Sequence, residues 1–191
     1  ATQEDVFEVG QKVYYELFKK FGTKEVSEIP FRRIPYKESM ERYGSDKPDL
    51  RIKFEIENIT ELLSNNESPV FKDKEIKCFK IDKCDKSNSW YKKLDEEYKN
   101  LGASALGFVK LNEEKELVGS FAKLLSDEEK EQLIEKFNIK ENNVLFIICG
   151  TKGEKFSKIC GNLRLKIANE LDLVDKSKYE FCIIVDFPMY E

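Results

Sequence analysis

The order of apolar segments between residues 75 and 149 restricts the fold of this chain more than any other feature. Short runs rich in aromatic and β-branched residues alternate there with longer segments whose apolar residues recur at helical spacing. The order is strand, helix, strand, strand, helix, strand, which predicts a split βαβ, ferredoxin-like α+β unit with a largely antiparallel sheet and helices on one face. The predicted strands are Glu75–Ile81, Ala105–Leu111, Leu117–Phe121 and Asn143–Cys149, and the predicted helices are Ser87–Leu101 and a segment that begins at Ser126.

The segments on either side of this unit predict three more helices and two more strands. The first helix has a capping-box pattern at Thr2 and Asp5 and is closed by Gly22, and the second is closed by Gly44. A polar stretch, Ser64–Ser68, predicts a surface loop and the best internal boundary. The flanking helices are Gln3–Phe21, Tyr36–Tyr43 and Gly153–Leu171, and the flanking strands are Leu50–Ile56 and Phe181–Phe187.

Composition excludes several kinds of chemistry. The 191 residues include no histidine, so Ser-His-Asp and Cys-His catalysis cannot occur within this chain. The 5 cysteines are odd in number and form no Cys-x-x-Cys pair, which predicts reduced thiols in a reducing cytosol and no metal site. A net charge of −4 gives no overall electrostatic signature for nucleic acid, and no apolar run is long enough to cross a bilayer.

One short loop concentrates charge of both signs. Asp46, Lys47, Asp49 and Arg51 flank Pro48, which restricts the backbone. The four charges can form a rigid ion-pair network, or they can present charge to a ligand. The residues alone leave both interpretations open.

The stretch from residue 36 to residue 51 resembles a signature of bacterial-type aspartyl-tRNA synthetases. It reads Tyr-Lys-Glu-Ser-Met-Glu-Arg-Tyr-Gly-Ser-Asp-Lys-Pro-Asp-Leu-Arg, and Ser39 is its main departure, since the family has alanine there. Further segments are similar in the same order, so the resemblance covers nearly the whole chain. They are Arg33 with Tyr36, Gly102–Lys110, Ala122–Ser126, Leu163–Lys166 and Val185–Glu191.

The resemblance implies a division of the chain into three parts. Residues 64–173 correspond to the insertion domain, called GAD, that interrupts the catalytic domain of this class II family. Residues 1–63 and 174–191 then correspond to flanking pieces of the catalytic domain. Departures at Ser104, Ala105, Gly107 and Ile183 leave the roles of those positions open.

The resemblance also implies a function. The complete enzyme uses ATP and Mg²⁺ to activate aspartate and transfers the aspartyl group to tRNA(Asp), and it is expected to be a cytoplasmic homodimer without membrane attachment. The arginine of the second class II motif and the glycine-rich third motif are not found here, so we expect no catalytic residue, cofactor or metal in this piece and no activity from it alone. The candidate site is a loop that braces the catalytic groups, formed by Ser45, Asp46, Lys47, Asp49 and Arg51.

A competing interpretation is a binding module. A GAD-type domain also occurs in tRNA-dependent amidotransferases, where it would serve a tRNA-associated enzyme of another class. The segments Ser45–Arg51 and Asp186–Glu191 argue against this alternative, because both resemble the synthetase.

Overall fold

The computed structural model describes residues 1–189, so the predicted C-terminal flank is described except for Tyr190 and Glu191. Within that range the helices are α1 (Gln3–Phe21), α2 (Tyr36–Tyr43), α3 (Asn88–Leu101), α4 (Asp127–Phe137) and α5 (Glu154–Glu170), with a short 3-10 helix at Ala122–Leu124. The strands are β1 (Glu25–Val26), β2 (Arg32–Pro35), β3 (Glu57–Asn58), β4 (Glu75–Ile81), β5 (Ala105–Leu111), β6 (Leu117–Val118), β7 (Val144–Gly150), β8 (Lys178–Tyr179) and β9 (Cys182–Val185).

The largest element of the fold is a five-stranded sheet with the order β3-β4-β7-β5-β6. Each neighbouring pair in it is antiparallel. Strands β4 and β5 therefore run parallel, are joined through α3, and are separated by β7, which is the arrangement of a split βαβ unit. The predicted α+β class with a largely antiparallel sheet is confirmed.

Helices cover both faces of this sheet, so the expectation that they lie on one face is wrong. On one face α3 and α5 pack on the rings of Phe79, Phe108 and Phe146. On the other face Leu133 and Phe137 of α4 pack on Leu145 and Ile147. The reason is that all residues of β7 are buried and its successive side chains point to opposite faces, so both faces need an apolar cover.

The predicted strand Leu50–Ile56 is also wrong. This segment forms turns and irregular backbone, and only Ile52 makes an isolated bridge, to Val174. The sheet begins just after it, at β3, within the part of the chain assigned above to the N-terminal flank. In place of a strand partner, the carbonyl oxygens of Ile52 and Phe54 accept hydrogen bonds from a buried side chain of α5, described below.

The flanking segments form two small parallel pairs, β1 with β8 and β2 with β9. Helix α1 contacts this region through Phe18, whose ring lies 5.0 Å from that of Tyr179 and 4.9 Å from that of Phe181. No residue of α1 is buried, although the helix carries an apolar stripe. Val6, Val9 and Val13 of that stripe are 63%, 62% and 58% exposed.

Within residues 1–189, none of the helices combines the length and apolar character needed to cross a membrane.

The thiols in the domain core are shielded from solvent. Cys78 and Cys149 lie in the sheet, and Cys160 lies in α5 against it. Burial raises the pKa of Cys149 and of Cys160 to about 12, and it raises the pKa of Cys78 well above its ordinary value. Cys182 on β9 is only partly buried, and burial raises its pKa as well.

We predict that Cys182 is the first of these four thiols to react with a disulfide reagent at pH 8. The thiolate is the reacting species, so groups with a pKa near 12 react only when the fold opens. Cys182→Ser should remove the fast phase of labelling, and the control Cys149→Ser should keep it. Equal labelling rates at Cys149 and Cys182 in the native protein would contradict this burial pattern.

Candidate functional site

The candidate loop begins where α2 is pressed against α5. Gly44 ends α2 with φ 65°, a left-handed conformation that favours glycine. A Cβ atom at Gly44 would collide with the carbonyl oxygen of Ser157 and with the backbone of Gly161. The two helices can therefore approach this closely only because both contact positions are glycine.

Two serines fix the first residues of the loop. Ser39 is completely buried, and its Oγ donates a 2.6 Å hydrogen bond to the carbonyl oxygen of Ser45. The Oγ of Ser45 accepts a 3.0 Å hydrogen bond from the backbone N–H of Lys47. Ser39, the main departure from the family signature, thus has a specific partner.

The four predicted charges pair with one another inside the loop. Lys47 Nζ lies 2.8 Å from Asp46 Oδ2 on the exposed side. Arg51 binds Asp49 through two hydrogen bonds, Nε to Oδ1 at 2.9 Å and Nη2 to Oδ2 at 2.7 Å. The structure thus brings all five predicted site residues into one loop, with its charges in two separate ion pairs.

The electrostatic effect of these pairs is to keep both carboxylates ionised. The hydrogen bond from Lys47 lowers the pKa of Asp46, and the hydrogen bonds from Arg51 lower the pKa of Asp49. Neither aspartate is therefore poised to exchange a proton near neutral pH. The loop is better suited to positioning or recognition than to acid–base catalysis.

A residue outside the predicted site organises the far end of the loop. Arg164 on α5 is 1% exposed, and its guanidinium donates to three backbone carbonyl oxygens. Nη2 lies 3.1 Å from the oxygen of Asp49 and 2.9 Å from that of Ile52, and Nε lies 2.9 Å from that of Phe54. The guanidinium carbon is 5.0 Å from the ring centroid of Tyr43.

The sequence did contain a signal for this arginine. Position 164 is one helical turn from Cys160 and from Ala168, and three residues from Ile167, so it falls on the buried side of α5. A charged residue at such a position is seldom buried unless it is paired or hydrogen-bonded. Desolvation lowers the pKa of Arg164, yet an arginine keeps its charge in proteins.

An outer set of contacts ties the segment after the loop back to α2. Arg42 donates to Glu55 Oε2 from Nε at 2.8 Å and from Nη2 at 2.5 Å. The hydroxyl of Tyr43 donates to Glu55 Oε1 at 3.0 Å. The backbone N–H of Ile56 donates to the carbonyl oxygen of Arg42 at 2.9 Å.

Tyr36 and the first turns of α5 lie near Asp46, since Tyr36 interacts electrostatically with Asp46, Glu154 and Lys158. The ring of Tyr36 lies 5.1 Å from that of Phe187, and desolvation raises the pKa of its phenol. Glu154 and Lys158 of α5 form an ion pair nearby, at 2.5 Å. Among residues 1–189 no three His, Cys, Asp or Glu side chains are grouped so that they could hold a metal ion.

Comparison with known proteins places the chain in a class. Residues 1–191 match the family of tRNA synthetases class II (D, K and N), and the chain belongs to that family. Its relatives include the aspartate--tRNA(Asp/Asn) ligase of Rickettsia bellii (strain OSU 85-389), which is 41% identical over 198 residues, with 100% of this chain and 33% of the relative aligned.

Two further relatives carry the same name. The ligase of Rickettsia canadensis (strain McKiel) is 39% identical over 197 residues, with 100% of this chain and 33% of the relative aligned. The ligase of Rickettsia prowazekii (strain Madrid E) is 37% identical over 197 residues, with 100% and 32% aligned. The resemblance to aspartyl-tRNA synthetases is confirmed, and the chain spans about a third of the length of these relatives.

We predict that Gly44→Ala destabilises the protein strongly. A left-handed backbone costs a residue with a Cβ about 1–3 kcal/mol, and the collision with α5 adds to that cost. Gly10→Ala is the control, because Gly10 lies in α1 with open space around it, and there alanine should raise the free energy of unfolding by up to about 1 kcal/mol. Chemical denaturation measures both changes, and a Gly44→Ala protein as stable as wild type would contradict the close packing.

Proposed function

We propose that the chain is part of an aspartate–tRNA ligase that activates aspartate with ATP and Mg²⁺ and charges tRNA(Asp). The observation that carries this proposal is the match of the entire chain to relatives of that name at about 40% identity. The signature stretch of residues 36–51 contains α2 and the loop that is anchored by Ser39 and Arg164, which is further support. We place the complete protein in the cytoplasm as a homodimer.

The flanking segments are consistent with a place inside a larger domain. Parallel strands normally lie within sheets that are covered on both faces, and two-stranded sheets are barely stable by themselves. The pair β2–β9 has only these two strands among the described residues, and α1 beside it leaves its apolar stripe exposed. Additional strands and helices of a catalytic domain would cover such surfaces.

We assign residues 64–173 to the inserted GAD domain and residues 1–63 and 174–191 to the catalytic domain. The separate apolar cores on the two faces of the five-stranded sheet support an independently folding insertion. Because β3 pairs with β4, the last residues of the N-terminal flank would contribute to the insertion's sheet.

In this assignment the loop of Ser45, Asp46, Lys47, Asp49 and Arg51 braces the catalytic groups around ATP or the tRNA end. Its two ion pairs and its anchors on α2 and α5 support a positioning role. The alternative, a GAD-type module of a tRNA-dependent amidotransferase, is favoured only by the extensive apolar core around the five-stranded sheet. That core does not explain why residues 1–63 also align with the ligases.

We predict that this 191-residue chain alone does not exchange pyrophosphate into ATP in the presence of aspartate, whereas the full-length protein that contains it does. The phosphate-binding arginine and glycine-rich motifs of the family would lie outside the chain, and nucleotidyl transfer requires positive charge on the phosphates. Exchange that copurifies with the short chain and disappears when it is mutated would refute the proposal. So would a full-length protein that exchanges with another amino acid and not with aspartate.

We further predict that Asp46→Ala and Arg51→Ala, made in the full-length protein, each reduce the kcat/KM of aminoacylation by about tenfold or more. Their melting temperatures should change little, because partly exposed ion pairs contribute only about 0–1 kcal/mol. Asp85→Ala is the matched control, since it removes an exposed ion pair with Lys83 far from the loop in sequence. A large drop in melting temperature with unchanged kcat/KM would instead identify a structural ion-pair network.

A further inference from the structure

We propose that Arg164 is a positioning residue through which the five-stranded domain holds the Ser45–Arg51 loop in its working geometry. The inference rests on the proposed function, because it gives the insertion domain a specific task in that enzyme. Arg164 lies outside the loop, on α5, and is more than a hundred positions away along the chain from the residues it binds.

The first support is the set of acceptors that Arg164 binds. Its three hydrogen bonds go to backbone oxygens of Asp49, Ile52 and Phe54, and none of these three bonds goes to a carboxylate. Hydrogen bonds to backbone oxygens fix the path of the main chain and do not depend on which side chain a residue carries. Arg164 therefore determines where this segment runs, including the position of Asp49, which carries the ion pair with Arg51.

The second support is that α5 holds both ends of the loop. The backbone of Gly44, at the start of the loop, packs directly against Gly161. Arg164 lies three residues later on the same helix face and donates a hydrogen bond to the carbonyl oxygen of Asp49. Between these two contacts the loop spans a fixed distance set by one rigid helix. A movement of α5 would move the whole loop.

The third support is that α5 is itself part of the sheet domain. Leu163 and Ile167 are fully buried in the core that this helix shares with α3 and the sheet. Ser157 of the same helix accepts a 3.0 Å hydrogen bond at its Oγ from Lys77 Nζ of β4. The position of the sheet is thus transmitted through α5 to the loop.

The fourth support is the cost of burying this charge. An apolar side chain would leave the carbonyl oxygens of Asp49, Ile52 and Phe54 without this donor, so the arginine serves the conformation of the segment as well as its stability. An arginine supplies several donors in a rigid, planar arrangement, which specifies one conformation of the bound segment. Specifying the loop conformation is therefore the role that its chemistry serves best.

The test uses the full-length protein with Arg164→Met and Arg164→Lys. Arg164→Met keeps an unbranched side chain that can fill part of the same space and removes all donors. Arg164→Lys keeps the charge but loses the planar set of donors. A displacement of about 1 Å can cost about 100-fold in rate, so we expect kcat for aspartate-dependent pyrophosphate exchange to fall by about tenfold or more in Arg164→Met. KM should change less, and Arg164→Lys should give an intermediate kcat.

Leu133→Ala is the matched control, because it removes a fully buried side chain of α4, which packs on the face of the sheet opposite α5. It should lower the melting temperature at least as much as Arg164→Met, and well below that temperature it should leave kcat within about threefold of wild type. If both variants lose kcat in proportion to stability, Arg164 is a structural residue and the inference is wrong.

Hydrogen exchange provides a readout that does not depend on activity. Amides of residues 45–56 should exchange faster in Arg164→Met while those of β7 stay protected. Leu133→Ala should instead speed exchange in β7 more than in residues 45–56. Unchanged protection of residues 45–56 would overturn the inference even if kcat falls. If the wild-type protein shows no aspartate-dependent pyrophosphate exchange, the proposed function is wrong, but the role of Arg164 in holding residues 45–56 is still tested by hydrogen exchange. If Arg164→Met does not fold, the same comparison is made with Arg164→Lys.

Discussion

The buried guanidinium of Arg164 joins helix α5, which packs on the five-stranded sheet, to the segment between α2 and β3, and the position of that segment depends on it. A charge that is removed from water must be compensated by fixed dipoles or it destabilises the fold. Here three carbonyl oxygens of the segment between α2 and β3 provide that compensation, together with the ring of Tyr43 at the end of α2. The segment in turn has no regular ladder of its own, so the arginine and the irregular backbone each require the other.

The two parts differ in how completely their apolar surface is covered. The five-stranded sheet has helices on both faces, because β7 presents apolar side chains to each of them. The region of α1, β2 and β9 has a parallel pair and a helix with an exposed apolar stripe. The proposed division into an inserted domain and a portion of a catalytic domain accounts for this difference.

Local signals predicted most of the helices and central strands, and long-range contacts explain the failures. The capping box predicted at Thr2 is present, the helix predicted to begin at Ser126 has Ser126 as its N-cap, and the long strands β4, β5 and β7 lie within one residue of their predicted bounds. The segment Leu50–Ile56 partly alternates like a strand, but its carbonyl oxygens bind a donor 112 positions away from Ile52, which no local pattern reveals. The unbroken apolar run of β7 did indicate that both sheet faces are covered, because a strand with one solvent-exposed face would alternate apolar and polar residues.

The candidate loop shows the same division between local and distant information. Its charged residues stood out in the sequence, but their pairing and the anchor on α5 required the fold. Since the two carboxylates and two cations compensate each other, the loop carries no net charge with which to attract a distant anionic substrate. Any contribution it makes must then come from where its groups are held at short range. For such a loop the contacts that fix its backbone, at Gly44 and at the carbonyl oxygens bound by Arg164, matter as much as the charges themselves.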